Sequence, residues 1–212
     1  MTDAHPTAAP FLPPRLTLPA LERAAEICTG CELHHLGTRT VFGEGPAPAR
    51  LMLVGEQPGD REDLEGHPFV GPAGALLDTS LREAGIDRGE VYVTNVVKHF
   101  RWEATRGKRR IHRKPSMSHI TACRPWFDAE LSVVKPEMLV CLGATAAQAL
   151  LGRSFKVTER RGQMLDVPGL DPTVMATVHP SSILRAPDDR AREEQQLAFV
   201  RDLTRVAQAS VA

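Results

Sequence analysis

Two closely spaced cysteines are the residues of this chain with the clearest capacity for metal chemistry. Cys28 and Cys31 form a Cys-x-x-Cys turn, from which both thiolates can reach one metal ion or cluster. The alternative is a pair of buried thiols without a ligand. The chain has 4 cysteines in 212 residues, which is not the disulfide framework of a small secreted protein. The turn therefore indicates metal or redox chemistry in a reducing compartment.

Several polar residues directly follow short apolar runs. They lie in three turns, with Glu56, Gln57 and Asp60 in the first, Asn95 in the second, and His179, Ser181 and Ser182 in the third. Carboxylates and histidines can transfer protons or stabilise developing charge, and an asparagine amide donates and accepts hydrogen bonds at once. Each residue also has an ordinary alternative as a helix-terminal charge, an Asx turn or a polar loop residue.

The elements that must position these residues are apolar strands that alternate with helices. The predicted strands are 51–54, 91–94, 138–142 and 174–178, and the predicted helices are 18–27, 72–84, 116–134, 144–151 and 193–208. Strands that are apolar on both faces are typical of a parallel sheet covered by helices. The sequence therefore predicts an α/β fold, a three-layer α/β/α sandwich with a short, mainly parallel four-stranded central sheet. Such sheets bind ligands beyond the carboxyl ends of their strands.

Two segments lack a periodic pattern. Residues 1–17 are rich in proline and are predicted to be a disordered or loosely packed leader. Residues 98–115 are polar and basic, which predicts a long loop. The remaining pattern predicts a single domain over residues 18–212.

The charge of the chain is balanced on average but uneven along the sequence. Lys plus Arg and Asp plus Glu both number 26, so the formal net charge is zero, which excludes a polycationic DNA coat and an acidic tail protein. The segment 98–114 has eight basic residues and one acidic residue, a local charge of +7, with Trp102 among them. This composition favours contact with nucleic-acid phosphates. Neither a transmembrane helix nor a signal peptide is predicted, so we expect a cytoplasmic protein. The sequence does not reveal the oligomeric state, and a monomer is the simplest expectation.

Four motifs occur in an order that resembles the uracil-DNA glycosylase superfamily. They are Gly55-Glu56-Gln57-Pro58-Gly59, Pro68-Phe69-Val70-Gly71-Pro72-Ala73-Gly74, Thr94-Asn95-Val96-Val97-Lys98 and His179-Pro180-Ser181-Ser182. The resemblance covers roughly residues 25–208 and is closest to the family-four-like, iron–sulfur group. Gln57 and the inserted Lys108-Arg109-Arg110-Ile111-His112 segment resemble the UdgX subgroup. The resemblance implies excision of uracil from DNA, with single strands accepted as substrates.

The resemblance also implies a [4Fe–4S] cluster and its ligands. Cys28, Cys31 and Cys123 match three family ligands, and His99 stands where the family has a further cysteine. Histidine ligation of iron is known in other clusters. The alternative is that Cys141 is the fourth ligand and His99 a surface histidine. Zinc would be satisfied by the same side chains.

For the base-binding pocket, the resemblance implies one role per residue. Asn95 reads the uracil edge, Phe69 stacks on the flipped base, Gly55 allows close approach, and His179 stabilises charge on the leaving base. Ser181, Ser182 and Arg185 match residues that hold the DNA backbone.

The resemblance to UdgX implies that His112 is a nucleophile that bonds to C1′ of the abasic sugar. Glu56 is expected to accept the other ring N–H and to stabilise the sugar cation, and Gln57 and Asp60 complete the predicted catalytic set. Lys108, Arg109 and Arg110 are expected to contact DNA and to aim the histidine. Two alternatives stay open: a glycosylase that turns over with water activated by Asp60, and a non-catalytic module that binds uracil-containing DNA and has a structural metal.

Overall fold

A computed structural model describes residues 6–104 and 110–209 of the chain. Its strands are β1 (Leu51–Gly55), β2 (Val91–Asn95), β3 (Trp102–Ala104), β4 (Arg110–His112), β5 (Met138–Leu142), β6 (Met164–Leu165) and β7 (Thr173–Thr177). Its helices are α1 (Leu18–Ala25), α2 (Asp60–Glu65), α3 (Pro72–Glu83), α4 (Met117–Val134), α5 (Ala144–Leu151), α6 (Val157–Arg160), α7 (Pro180–Leu184) and α8 (Asp189–Ala209). In these ranges no helix is long and apolar enough to cross a membrane.

The central sheet has five strands in the order β2-β1-β5-β7-β6. The four predicted strands pair in parallel, and every residue of β1, β2 and β5 is buried. The prediction of four strands was short by one, because β6 adds an antiparallel edge of two residues, Met164–Leu165. Two residues are too few to give a periodic pattern.

Helices cover both faces of the sheet, which confirms the three-layer α/β/α prediction. One apolar cluster includes Leu21 of α1, Trp126 of α4 and Ala146 of α5, and a second cluster includes Leu77 of α3 and Leu203 of α8. The sheet therefore separates two cores, because its side chains alternate between the two faces.

The segment predicted as a loop at 98–115 contains a two-stranded antiparallel hairpin. Strands β3 and β4 pair with Trp102 opposite His112, and residues 105–109 between them lie outside the described residues. The prediction of an irregular loop was wrong for the flanks of this segment. The strands WEA and RIH have three residues each, which is too short for an alternating apolar pattern to reveal them.

The described part of the leader, residues 6–17, is packed against the domain. Ala8 is buried, and its N–H donates to the carbonyl of Ala122 at 2.7 Å. A methyl group added at Gly30 would lie 2.7 Å from the carbonyl oxygen of Thr7. This part of the predicted loose leader therefore covers the Cys-x-x-Cys turn, a contact that leaves no periodic signal in the sequence.

Candidate active site

An open cavity of about 850 Å³ lies beyond the carboxyl ends of β1, β2, β5 and β7. The predicted site residues that line it are Glu56, Gln57, Asp60, Phe69, Asn95, His112, His179, Ser181 and Arg185. Thr145 and Lys114 also line the cavity, although no role was predicted for them. Thr145 follows the carboxyl end of a predicted strand, and this position was the only signal that could have found it.

Glu56 and His112 face each other at this cavity. His112 Nε2 lies 3.5 Å from Glu56 Oε1, and the other carboxylate oxygen of Glu56 accepts a short hydrogen bond from the Thr145 hydroxyl. Burial lowers the pKa of His112, and the positive charge of Arg185 lowers it further, although Glu56 acts in the opposite direction. The imidazole is therefore neutral near pH 7, because its pKa lies below the ordinary value of 6.5.

Nε2 is the ring nitrogen of His112 that faces Glu56. A neutral imidazole has one N–H and one lone pair, so covalent capture through Nε2 requires the tautomer with the ring proton on Nδ1.

Gln57 is buried and its side chain clamps the base of the hairpin. Its Nε2 donates to the carbonyl of Arg101 at 3.2 Å and to that of Arg113 at 3.1 Å, and its Oε1 accepts from the N–H of Arg101 at 3.2 Å. Arg101 precedes β3 and Arg113 follows β4, so one amide ties together both ends of the segment that carries His112. These contacts position the hairpin, and the catalytic role of Gln57 stays a prediction.

Arg110 is a second anchor of the hairpin. Its guanidinium pairs with Asp60 Oδ1 at 2.6 Å and with the buried Asp63 Oδ2 at 2.5 Å. It also lies over the rings of Phe100 and Trp102, at 5.4 and 5.6 Å from their centroids. Arg110 and Asp60 therefore hold the hairpin against α2, and the predicted contact of Arg110 with DNA would compete with these pairs.

The remaining positive charge of segment 98–114 is also partly neutralised within the protein. Lys98 pairs with a buried carboxylate, and Arg113 pairs with Glu103 at 2.9 Å. Lys114 lines the cavity and has no such partner among the described residues. The predicted DNA contacts Lys108 and Arg109 lie outside the described residues.

His179 has a single tautomer in this structure. Its Nδ1 accepts a hydrogen bond from the main-chain N–H of Ser181 at 3.1 Å, so the ring proton must reside on Nε2. Burial lowers the pKa of His179 to about 4, and the charge of Arg185 acts in the same direction. The ring is therefore a neutral Nε2–H donor at the cavity.

The two predicted backbone-binding serines are already hydrogen-bonded within the protein. Ser181 Oγ lies 2.9 Å from His179 Nδ1, and Ser182 Oγ donates to the carbonyl of His179 at 2.7 Å. Their hydroxyls therefore fix the start of α7. Arg185 ends this helix and is exposed beside the cavity.

Asn95, Phe69 and Gly55 meet at the floor of the cavity. A methyl group at Gly55 would lie 2.3 Å from Asn95 Oδ1 and 2.9 Å from Phe69 Cζ, so only glycine fits. Phe69 has a positive φ of 59°, a costly conformation for a bulky residue, and its ring stacks on His179 at 6.2 Å. The Asn95 amide makes no hydrogen bond to another described residue and is available to a ligand.

A buried ion pair that the sequence did not predict lies behind Asn95. Lys98 Nζ is 2.6 Å from Glu130 Oε2, and both side chains have no exposed surface. Lys98 also donates to the carbonyl of Asn95 at 2.9 Å and to the Thr94 hydroxyl at 2.5 Å, while Tyr92 donates to Glu130 at 2.9 Å. A fully paired buried network of this kind is rigid, so it fixes the main chain that carries Asn95.

Three of the predicted metal ligands share one apolar cluster: Cys28 and Cys123 belong to it, and Cys31 packs against it. Burial raises the pKa of the Cys123 thiol to about 12. Two of these thiols have an N–H donor: the Trp126 indole for Cys28 at 3.3 Å and the Lys98 main chain for Cys123 at 3.3 Å. Such donors stabilise thiolates bound to iron.

His99 is the predicted ligand that replaces a cysteine. The hydroxyl of Thr40 donates to the carbonyl of Ala25 at 2.8 Å and therefore accepts from His99 Nε2 at 3.0 Å. Burial lowers the pKa of His99 to about 4, so the ring is neutral and Nδ1 has the lone pair that a metal requires. Cys141 is buried within β5.

Comparisons with known proteins match most of this chain. The model of the uracil DNA glycosylase superfamily matches residues 42–204. A type-4 uracil-DNA glycosylase of Thermotoga maritima is 40% identical over 159 residues, which are 74% of this chain and 78% of the relative. A type-4 uracil-DNA glycosylase of Pyrobaculum aerophilum is 33% identical over 190 residues, 87% and 93% of the two chains. The crystal structure of Pedobacter heparinus SMUG2 has the same fold, with a TM-score of 0.54, 12% identity and 76% coverage of each chain.

Proposed function

Because this chain belongs to the uracil DNA glycosylase superfamily, we propose that it excises uracil from DNA and remains bonded to the abasic sugar through His112. The observation that supports the second step is the position of His112, which lines the cavity and whose Nε2 lies 3.5 Å from Glu56 Oε1. The first step is the activity named for its type-4 relatives. Single strands are the simplest substrate, because the target base must leave the stack to reach the cavity.

Uracil is recognised at the floor of the cavity. The Asn95 amide can accept from N3–H and donate to O4 of uracil, which matches the hydrogen-bonding edge of this base. The ring of Phe69 lies against His179 and offers a face on which the flipped base stacks, worth about 1–3 kcal/mol. The network of Lys98 and Glu130 keeps Asn95 in position, so Asn95 loses little conformational entropy when the base binds.

Cleavage of the glycosidic bond places negative charge on uracil and positive charge on the sugar. Because His179 Nδ1 already accepts from the N–H of Ser181, Nε2 carries the ring proton. This Nε2–H donates to uracil O2 and stabilises the leaving anion. The carboxylate of Glu56 stabilises the oxocarbenium-like sugar. Thr145 holds this carboxylate in place.

Capture follows at the same carbon. The bond from C1′ to uracil N1 breaks first, with its electron pair leaving on uracil. The lone pair of His112 Nε2, in the tautomer with the proton on Nδ1, then attacks C1′, and the uracil anion finally takes up a proton. The alkylated ring first has a positive charge beside Glu56 and then loses the Nδ1 proton, which leaves a neutral alkyl imidazole. Because the nitrogen is a poor leaving group in this form, the adduct persists. Asp60 is not favoured as a water-activating base, since Arg110 pairs with it at 2.6 Å.

We also propose that Cys28, Cys31, Cys123 and His99 hold a [4Fe–4S] cluster. The proposal rests on the match of these residues to the family ligands and not on a preformed ligand group, since among the described residues no group of three or more His, Cys, Asp or Glu side chains could hold a metal ion. The cluster would tie the Cys-x-x-Cys turn to the Lys98 turn and α4. Its absorbance near 400 nm should be lost in His99→Ala and retained in Cys141→Ala.

A denaturing gel tests the proposed reaction. The protein is incubated with a uracil-containing single strand, heated in SDS and separated by size. A shifted band supports covalent capture, free abasic DNA in excess over protein supports turnover, and unchanged DNA supports a binding module. His112→Ser and His112→Gln should abolish the shifted band. His67→Gln is the matched control, because His67 also pairs with a glutamate, Glu44, but lies outside the cavity lining.

A further inference from the structure

A second cavity of about 290 Å³ opens beside the active-site cavity. Its lining residues come from the start of α4, from α5 and from the segments next to them: Lys114, Pro115, Met117, Ile120, Thr145, Gln148 and Arg153. Lys114 and Thr145 line both cavities, so the two adjoin each other. We propose that this cleft binds the phosphodiester backbone of the DNA strand that flanks the flipped nucleotide.

The chemistry of the lining selects an anion. The cleft has two cationic side chains, Lys114 and Arg153, and no carboxylate. Neither cation has a side-chain hydrogen bond or an ion pair with another described residue. In this respect they differ from Arg110 and Arg113 of the same segment, which are paired with carboxylates. Lys114 and Arg153 can therefore bind an external phosphate without breaking a bond within the protein.

The direction of the cleft fits a strand that leaves the reacting sugar. His112 and Lys114 are two residues apart, and both line the active-site cavity. On the other wall, Thr145 and Gln148 are three residues apart on α5 and share one face of that helix. Thr145 and Leu151 are about 9 Å apart along the α5 axis at 1.5 Å per residue, and Arg153 lies two residues beyond the end of this helix. Lys114 is therefore the cation shared with the active-site cavity, whereas Arg153 lines the second cavity alone.

This site rests on the proposed function, because it assumes that DNA occupies the active-site cavity. The ligand is a phosphodiester backbone and not a particular base, since phosphate contacts fix the register of a strand without reading its sequence. Arg153 can form two parallel hydrogen bonds to one phosphate.

The test variant is Arg153→Gln, and its matched control is Arg82→Gln. Arg153 and Arg82 are both exposed, but Arg82 is in the last turn of α3, on the opposite side of the sheet from α5. Both changes remove one positive charge from the surface, so a difference between them reports on position and not on net charge. Unfolding temperatures of both variants should match that of the parent protein.

Two measurements are made over a series of KCl concentrations. The first is the rate of uracil release at subsaturating protein, and the second is binding of a fluorescent single-stranded oligonucleotide. Arg153→Gln should lower the release rate roughly five- to tenfold at low salt and reduce the slope of log affinity against log salt by about 0.7, the value for one phosphate contact on a single strand. Arg82→Gln should leave both unchanged.

The outcome is also checked with shortened substrates. Removal of the nucleotides on one side of the uracil should abolish the difference between Arg153→Gln and the parent protein, whereas removal on the other side should preserve it. The cleft assignment is overturned if Arg153→Gln and Arg82→Gln have the same rate and the same salt slope. If the parent protein releases no uracil, the proposed function fails, and the binding slope still decides whether the cleft contacts DNA.

Discussion

Replacement of Gln57 by alanine should slow formation of the covalent adduct more than release of uracil. The Gln57 amide makes three hydrogen bonds to the main chain at the two ends of the hairpin, at 3.1–3.2 Å. The hairpin carries His112, whereas Asn95 and His179 belong to the central sheet and the segment after it. Loss of the clamp should therefore release the nucleophile and leave the base-recognition residues in place.

The size of the effect follows from the hydrogen bonds that are lost. Each contributes about 0.5–1.5 kcal/mol net, and because these bonds are only partly buried, water replaces some of them. A loss of about 1.4–3 kcal/mol in holding the attacking geometry corresponds to a roughly 10- to 100-fold lower rate of capture. Uracil release should fall by less than about fivefold, since its main stabilising groups are unaffected.

The assay measures both steps in one sample under single-turnover conditions. Free uracil is quantified by chromatography, and the adduct is quantified on a denaturing gel. Gln163→Ala is the control, because this glutamine accepts only one exposed hydrogen bond, from Arg160 at 3.3 Å. The positioning role of Gln57 is refuted if release and capture fall by the same factor, or if neither rate changes.

Three further predictions concern stability and the metal site. The pKa of His179 is about 4 in the folded protein against an ordinary 6.5, so between these pH values the unfolded chain binds a proton that the native protein does not. The free energy of unfolding should therefore fall as the pH drops from 6.5 to about 4, and it should fall less steeply in His179→Gln. Lys98→Met leaves Glu130 as an unpaired buried charge and should cost about 3–5 kcal/mol in urea unfolding, most of it recovered when Glu130→Gln is added. Cys123→Ser should remove the cluster absorbance near 400 nm, whereas Cys141→Ser should retain it, and loss in both variants would mean that the ligand set is wrong.

The main elements of the fold were predictable because their signals are local. The runs 51–54, 91–94 and 138–142 are apolar and are stopped by Gly55, Asn95 and Gly143, and the structure has strands there. The start of α4 was equally predictable, since Ser116 accepts from the N–H of His119 as an N-cap. The hairpin was not predictable, because it has no alternating apolar pattern of its own. Side chains that are distant in the sequence hold it in place.

The same distinction applies to the candidate site. The position of each polar residue after a strand end placed Glu56, Asn95 and His179 at one cavity. The main-chain partners of Gln57 lie 44 and 56 residues away in the sequence, so its contacts with the hairpin could not be predicted from sequence spacing. The partner of Lys98, a buried glutamate 32 residues away, was hidden for the same reason.

The most direct test of covalent capture is the intact mass of the protein after incubation with a uracil-containing oligonucleotide. The predicted species has the mass of the protein plus the oligonucleotide minus one uracil, because the bond from C1′ to the base is exchanged for a bond from C1′ to His112 Nε2. Fragmentation should place the modification on His112, and the species should be absent from His112→Ser. Abasic DNA that accumulates beyond the amount of protein, with the protein mass unchanged, would contradict the account.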